Sequence, residues 1–244
     1  LTSKEFDMLK AASLAAADAT IYGPQQAAEA LRSLTRATGD AAAATGLLKS
    51  TLGLAQSAAG KLMPETAAKH VGEFARAFGF VGKRAHLAAG NLDEVYAASK
   101  RMGIPIEEVT KVFGRLGAAS ERGNQSLRSV VSTFMVARRV LPSSLRLSTQ
   151  LIRIFGEMGK EKSVKAFDKL GISIKDAFTG EIMQAPAFFK QLFEQFQNNA
   201  GNVRGVINDA FGEAAIKPIF AVLGQMRLRG PQIFQELQDA MAKA

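Results

Sequence analysis

The sequence predicts an all-α protein built from tandem helical hairpins, with one short extended or β-hairpin insertion near residues 171–184. Three observations support this fold class. Proline recurs five times, 37 to 44 residues apart, a glycine follows each of these prolines after about four helical turns, and the apolar residues between them recur with a helical period. Hairpins of this kind can stack as an irregular solenoid or close into a bundle, and the sequence leaves both arrangements open.

The prolines predict helix starts and the glycines predict helix ends. Proline is favoured in the first helical turn, and it forces the preceding residue out of the α region. Glycine adopts the left-handed conformation that closes many helices. The predicted starts are Pro24, Pro64, Pro105, Pro142 and Pro186, and the predicted ends are Gly39, Gly79, Gly117, Gly156 and Gly201. Chance spacing in an ordinary irregular helical domain is the alternative explanation.

A second helix follows the first in several repeats. Helical stretches begin near Asp40 and near Ala85, and a third runs from 124 to 141. We predict four parts along the chain. They are a leading helix at 1–23, a helical-hairpin region at 24–170, an extended turn with helices at 171–225, and a closing helix at 226–244.

One segment departs from helical periodicity. Ile172 and Ile174 alternate with polar residues, and Thr179-Gly180 is a turn signal. The helix that follows is amphipathic. Its predicted apolar face consists of Phe188, Phe189, Leu192, Phe193 and Phe196.

The sequence lacks the usual residues of an active site or a metal centre. It has no cysteine, and His70 and His86 are too far apart in sequence for a helical zinc motif. It contains neither a phosphate-binding loop of the Walker type nor the glycine-serine-glycine turn of serine hydrolases. We therefore predict no enzyme activity, no cofactor and no metal. No apolar run approaches the ~20 residues of a membrane span.

The chain carries a formal net charge of +9. A group of basic residues between 138 and 169 is a possible interaction surface for DNA phosphates or an acidic protein wall. These residues are Arg138, Arg139, Arg146, Arg153, Lys160, Lys162, Lys165 and Lys169. A solvated helix face with partial pairing, such as Glu161 with Lys165, is the alternative that the pattern favours. Aromatic residues are not interleaved, so DNA contact has weak support.

The second half of the chain resembles the core segment of phage-tail tape measure proteins. The stretch AFDKLGISIKDAFTGEI and the later INDAFGEAAIKPIFAVL carry the likeness. In that family a helix ends at Leu-Gly-Ile before an extended stretch, and a later Phe-Gly precedes an apolar helix. The matching positions are Leu170, Gly171, Ile172, Asp176, Gly180, Phe211, Gly212 and Ala215. Phe178 and its neighbours replace a more typical polar, glycine-rich turn, and the family's long coiled coils are missing.

The resemblance implies a virion structural protein of the tail. Such a protein occupies the tail tube or tip, determines tail length during assembly in the host cytoplasm, and leaves before genome ejection. Its implied partners are tail tube, tail-tip or baseplate proteins and tail assembly chaperones, with a homo-oligomer expected and a trimer favoured. The alternative function is a helical-repeat scaffold or protein-interaction module unrelated to tails.

Overall fold

The structure is a computed structural model that describes residues 3–58, 62–81, 84, 87–176 and 178–243. It is all-α within these ranges, as predicted. The chain divides into two compact units, Leu1–Gly114 and Arg115–Lys243. None of the helices in the described ranges is long and apolar enough to cross a membrane.

The first unit is arranged around its second helix. Its helices are α1 (Ser3–Asp18), α2 (Pro24–Thr38), α3 (Ala41–Ser57), α4 (Pro64–Ala77) and α5 (Ala88–Met102), followed by the start of α6 (Ile106–Arg122). Helix α2 packs against α1, α3 and α4, while α5 packs on α3. Helices α2 and α4 cross closely at Gly72, where a Cβ atom would collide with the side chain of Ala37.

The predicted helix starts agree with the structure at most of the prolines. Pro24 and Pro64 are the first residues of α2 and α4. The backbone carbonyl of Pro105 accepts from the N–H groups of Glu108 and Val109 in the first turn of α6. Asp40 caps α3 by accepting from the Ala43 N–H at 3.0 Å. At Pro142 the helix begins later, because Ser143 rather than the proline caps it.

The predicted helix ends are correct at only two of the five glycines. Gly39 and Gly79 have φ of +70° and +67° and close α2 and α4. The other three glycines, Gly117, Gly156 and Gly201, lie inside helices instead. Helical hydrogen bonding continues through a glycine at a cost of only ~1 kcal/mol relative to alanine, so packing against neighbours overrides it.

The second unit surrounds one almost fully buried helix, α7 (Leu127–Arg138). The helices that follow are α8 (Ser144–Met158), α9 (Glu161–Asp168), α10 (Ala185–Asn198), α11 (Ala200–Phe211), α12 (Ile216–Arg229) and α13 (Ile233–Ala242). Helix α7 packs against α8, α10, α12 and α13. The buried hydroxyls of Ser132 and Thr133 donate to the Ser129 carbonyl, so these polar groups of α7 are satisfied within the helix.

The predicted insertion is a minimal hairpin between α9 and α10. Lys175 and Ile182 form one antiparallel bridge, and the Met183 N–H donates to the Ile174 carbonyl at 2.7 Å. Ile172 and Ile174 are buried, so the alternation in the sequence corresponds to one face directed into the core. Ala177 lies outside the described residues.

Candidate functional site

The two halves of the family-like motif meet in one aromatic cluster of the second unit. Phe167 lies one turn before the Leu-Gly-Ile segment, and its ring centroid is 5.4 Å from that of Phe211. Phe188 packs edge-on against Phe167 at 5.0 Å. All three rings are at most 1% exposed. Residues more than 40 positions apart therefore share one core, and the motif is held together by packing.

The Leu170-Gly171-Ile172 segment closes α9 with paired backbone hydrogen bonds. Gly171, with φ of +70°, donates to the Asp168 carbonyl, and Ile172 donates to the Phe167 carbonyl at 3.1 Å. This pattern is the Schellman motif, which needs a left-handed residue and therefore favours glycine. Leu170 and Ile172 are both buried. The motif stops the helix and turns the chain into the hairpin.

Asp176 organises the tip of that hairpin. Its Oδ1 accepts from the N–H groups of Phe178 at 2.9 Å and Thr179 at 2.8 Å, and from the Thr179 hydroxyl. The Thr179 N–H is the largest cause of a lowered pKa for the Asp176 carboxyl, since these donors favour its charged form. Gly180 has φ of +69° and completes the turn. The ring of Phe178 is 98% exposed on this ordered turn.

Two glutamines fasten the hairpin to the corner before α7. The Gln125 side chain donates to the Met183 carbonyl at 2.9 Å and accepts from the Ala185 N–H at 2.6 Å, the groups on either side of Gln184. The Gln184 side chain in turn donates to the Asn124 carbonyl and accepts from the Ser126 N–H at 2.9 Å. We call this reciprocal arrangement the glutamine clasp. No signal in the sequence indicated it, because neither residue lies in a recognisable motif.

The later half of the motif lies beside α8. The Arg153 guanidinium covers Gly212, where a Cβ atom would lie 2.7 Å from Arg153 Nη2. One turn earlier, Gln150 donates to the Ala214 carbonyl at 3.0 Å. Ala215 is buried in the 3-10 turn Glu213–Ala215. Gly212 therefore provides space for a side chain of the basic group, a relation that sequence spacing alone does not reveal.

The eight residues of the basic group occupy different surroundings. Arg138 is half-buried and donates from Nε to the Ser144 hydroxyl at 2.7 Å. Lys160 and Lys165 form ion pairs with Glu157 and Glu161. The other five residues of the group are exposed, and they are Arg139, Arg146, Arg153, Lys162 and Lys169. The group thus includes packed, paired and solvent-facing cations rather than one uniform patch.

The positive charge is concentrated in the second unit. Residues 115–243 contain 18 Lys and Arg and 11 Asp and Glu, a difference of +7. The first unit contains 13 Lys and Arg and 11 Asp and Glu, a difference of +2. A field of this sign attracts an acidic surface and is screened by salt.

Groups that bind metals are not assembled in the described part of the chain. No cluster of three or more His, Asp or Glu side chains suited to a metal ion occurs there. His70 Nδ1 lies 3.8 Å from Glu73 Oε2 on α4, one turn away. His86 lies outside the described residues. The surroundings of His70 are those of a partly buried surface histidine.

Comparison with known families gives the chain its classification. A family model described as phage-related minor tail protein matches residues 10–212. No curated protein and no solved structure matches the chain. The family match includes most of the first unit and extends through the hairpin to Gly212, at the later half of the motif. The chain therefore belongs to the phage-related minor tail protein family and is a structural component of a phage tail.

Proposed function

We propose that this chain is a segment of a tape measure protein that occupies the tail tube or tip. In this role it takes part in determining tail length and leaves the tail before the genome is ejected. The family match over residues 10–212 carries the proposal. It favours this role over a helical-repeat module unrelated to tails, because it places the chain among tail proteins.

The fold and the charge support the same role. An all-helical chain presents few unpaired backbone groups, so it suits a confined protein-lined space. The second unit, in which Lys and Arg exceed Asp and Glu by 7, would be attracted to an acidic tube wall. The partners we propose are tail tube, tail-tip or baseplate proteins and assembly chaperones, with the chain present as a homo-oligomer, a trimer being favoured.

The location can be tested with an epitope tag in phage particles. We would insert the tag between Leu141 and Pro142, in the short connection between α7 and α8. A segment inside the tube is inaccessible to antibody in intact particles and becomes accessible after ejection is triggered. A tag on the exposed surface of the tail is the positive control for antibody access. Equal labelling before and after ejection would contradict the proposed location.

The contribution to length can be tested by removing this segment in frame from the parent protein. A fully extended helix of 244 residues is ~370 Å long at 1.5 Å per residue, which sets the upper limit for shortening. The described helices have at most 17 residues each and fold back on one another, so we expect a smaller shortening. Tails of unchanged length, measured by electron microscopy, would exclude this segment from the measuring part.

A further inference from the structure

We infer that the groove between α1 and α2 binds an amphipathic helix of another protein. On that helix, Asp or Glu residues flank the apolar stripe. The groove has a volume of about 670 Å³ and belongs entirely to the first unit. It lies away from the family-like motif in sequence and in unit. This inference goes beyond the tape measure proposal and does not depend on it.

The walls of the groove are apolar. Phe6 and Leu14 of α1 line it and are 61% and 48% exposed, while Leu31 of α2 forms part of its floor at 3% exposure. Most helices of the chain bury their large apolar side chains, so two such side chains on one helix face mark an incomplete contact. A second apolar helix in the groove would cover them.

The two hydroxyl groups that line the groove already donate hydrogen bonds within their own helices. The Ser13 hydroxyl donates to the Leu9 carbonyl at 2.8 Å, and the Thr35 hydroxyl donates to the Leu31 carbonyl at 2.9 Å. Each bond lies within a single helix, so neither hydroxyl proton is left to recognise a polar ligand. The floor of the groove therefore acts as an apolar surface.

The charge around the groove identifies the flanks of its occupant. Lys10 on one wall and Arg32 and Arg36 on the other line the groove and are exposed. Among the described residues no carboxylate lines it, although the first unit as a whole is nearly balanced in charge. Arg32 and Arg36 are one turn apart, ~6 Å along the helix axis, which matches Glu residues at i and i+4 on a partner helix. The recognition mode is a helix in a groove, with apolar anchors and acidic edges.

The test uses two designed helical peptides and the full chain. Both peptides carry the same leucine stripe, with Glu on the flanks of one and Lys on the flanks of the other. Fluorescence anisotropy of labelled peptide is expected to give about tenfold tighter binding for the Glu peptide, the effect of two or three exposed ion pairs. The variant R32E/R36E is expected to abolish or reverse that preference, and Leu14→Lys is expected to weaken the binding of both peptides.

The variant K100E/R101E on α5 is the matched control, because it removes two exposed cations of the same unit that do not line the groove. Circular dichroism checks that each variant keeps its helical content. Equal binding of both peptides, or an equal loss in K100E/R101E, would overturn the inference in favour of general charge attraction. Self-association of the chain that Leu14→Lys disrupts would also overturn it, since a second copy would then be the occupant.

Discussion

Replacing Gln125 with Ala should release the hairpin from the corner before α7. The Gln125 side chain is 6% exposed and makes four hydrogen bonds, to the Gly123 and Met183 carbonyls, the Ala185 N–H and the Ser129 hydroxyl. At ~1 kcal/mol for each net bond, the four bonds sum to ~4 kcal/mol. The Ala185 N–H keeps the Ser129 hydroxyl as an acceptor at 3.1 Å, so we expect about 2–4 kcal/mol.

The glutamine clasp also predicts coupling between its two members. Gln184→Ala removes two bonds in a more exposed position, so its cost should be ~1–2 kcal/mol. Once either side chain is lost, the hairpin moves and the bonds of the other weaken. The double variant should therefore cost less than the sum of the single variants, with a coupling energy of ~1 kcal/mol.

Hydrogen exchange measured by mass spectrometry gives a local readout for this prediction. Peptides that cover residues 171–185 should exchange about thirtyfold faster in Gln125→Ala, the equivalent of ~2 kcal/mol. Gln235→Ala is the matched control, since Gln235 is an exposed glutamine in the same unit and should change stability by less than ~0.5 kcal/mol. Unchanged exchange in Gln125→Ala, or strictly additive costs in the double variant, would refute the reasoning.

Three further predictions concern single positions. Gly123→Ala should destabilise the second unit by ~1–3 kcal/mol in urea unfolding, because the new Cβ would lie 2.6 Å from the Phe155 carbonyl oxygen. Gly53→Ala, where a Cβ would have no atom within 4 Å, should instead stabilise α3 by ~0.5–1 kcal/mol. Equal effects would contradict the close approach at Gly123. Phe188→Ala should cost ~3–5 kcal/mol, because it empties the centre of the aromatic cluster, and Phe178→Ala should change stability by less than ~0.5 kcal/mol. The pKa of Asp176 is lower in the folded state than in the unfolded state. Its contribution to the free energy of unfolding is therefore fully present above the unfolded pKa and is lost as pH falls through the folded pKa. The NMR shifts of the Phe178 and Thr179 amides should titrate below the ordinary value of 3.8, and Asp176→Asn should abolish that titration.

The helix starts were predictable because a capping residue acts locally. Pro24, Pro64 and Asp40 begin or cap helices for reasons that involve only the next few residues. The ends at Gly117 and Gly156 were predicted wrongly, because a glycine inside a helix is tolerated when tertiary contacts fix the helix around it. Local chemistry decides where a helix can stop, and packing decides whether it does.

The candidate site shows the same division between local and distant effects. The turn at Gly171 and the order of the motif residues could be recognised in the sequence, because they are local. The contact of Arg153 with Gly212 and the glutamine clasp each join residues about 60 positions apart, so the helical periodicity of the sequence does not indicate them. The functional role of the basic group stays a prediction, although its members are now assigned to packed, paired and exposed positions.

The exposed ring of Phe178 makes the hairpin tip a natural cleavage point for a chymotrypsin-like protease. The adjacent amides are bound to Asp176, so cutting requires the turn to open, and the rate of nicking would report that opening. The cut would fall within the first half of the motif, between Asp176 and Gly180. Because Phe167 meets Phe188 and Phe211 across the cut, the two fragments should remain together as a non-covalent complex. The covalent link through this hairpin is therefore dispensable once the second unit has folded.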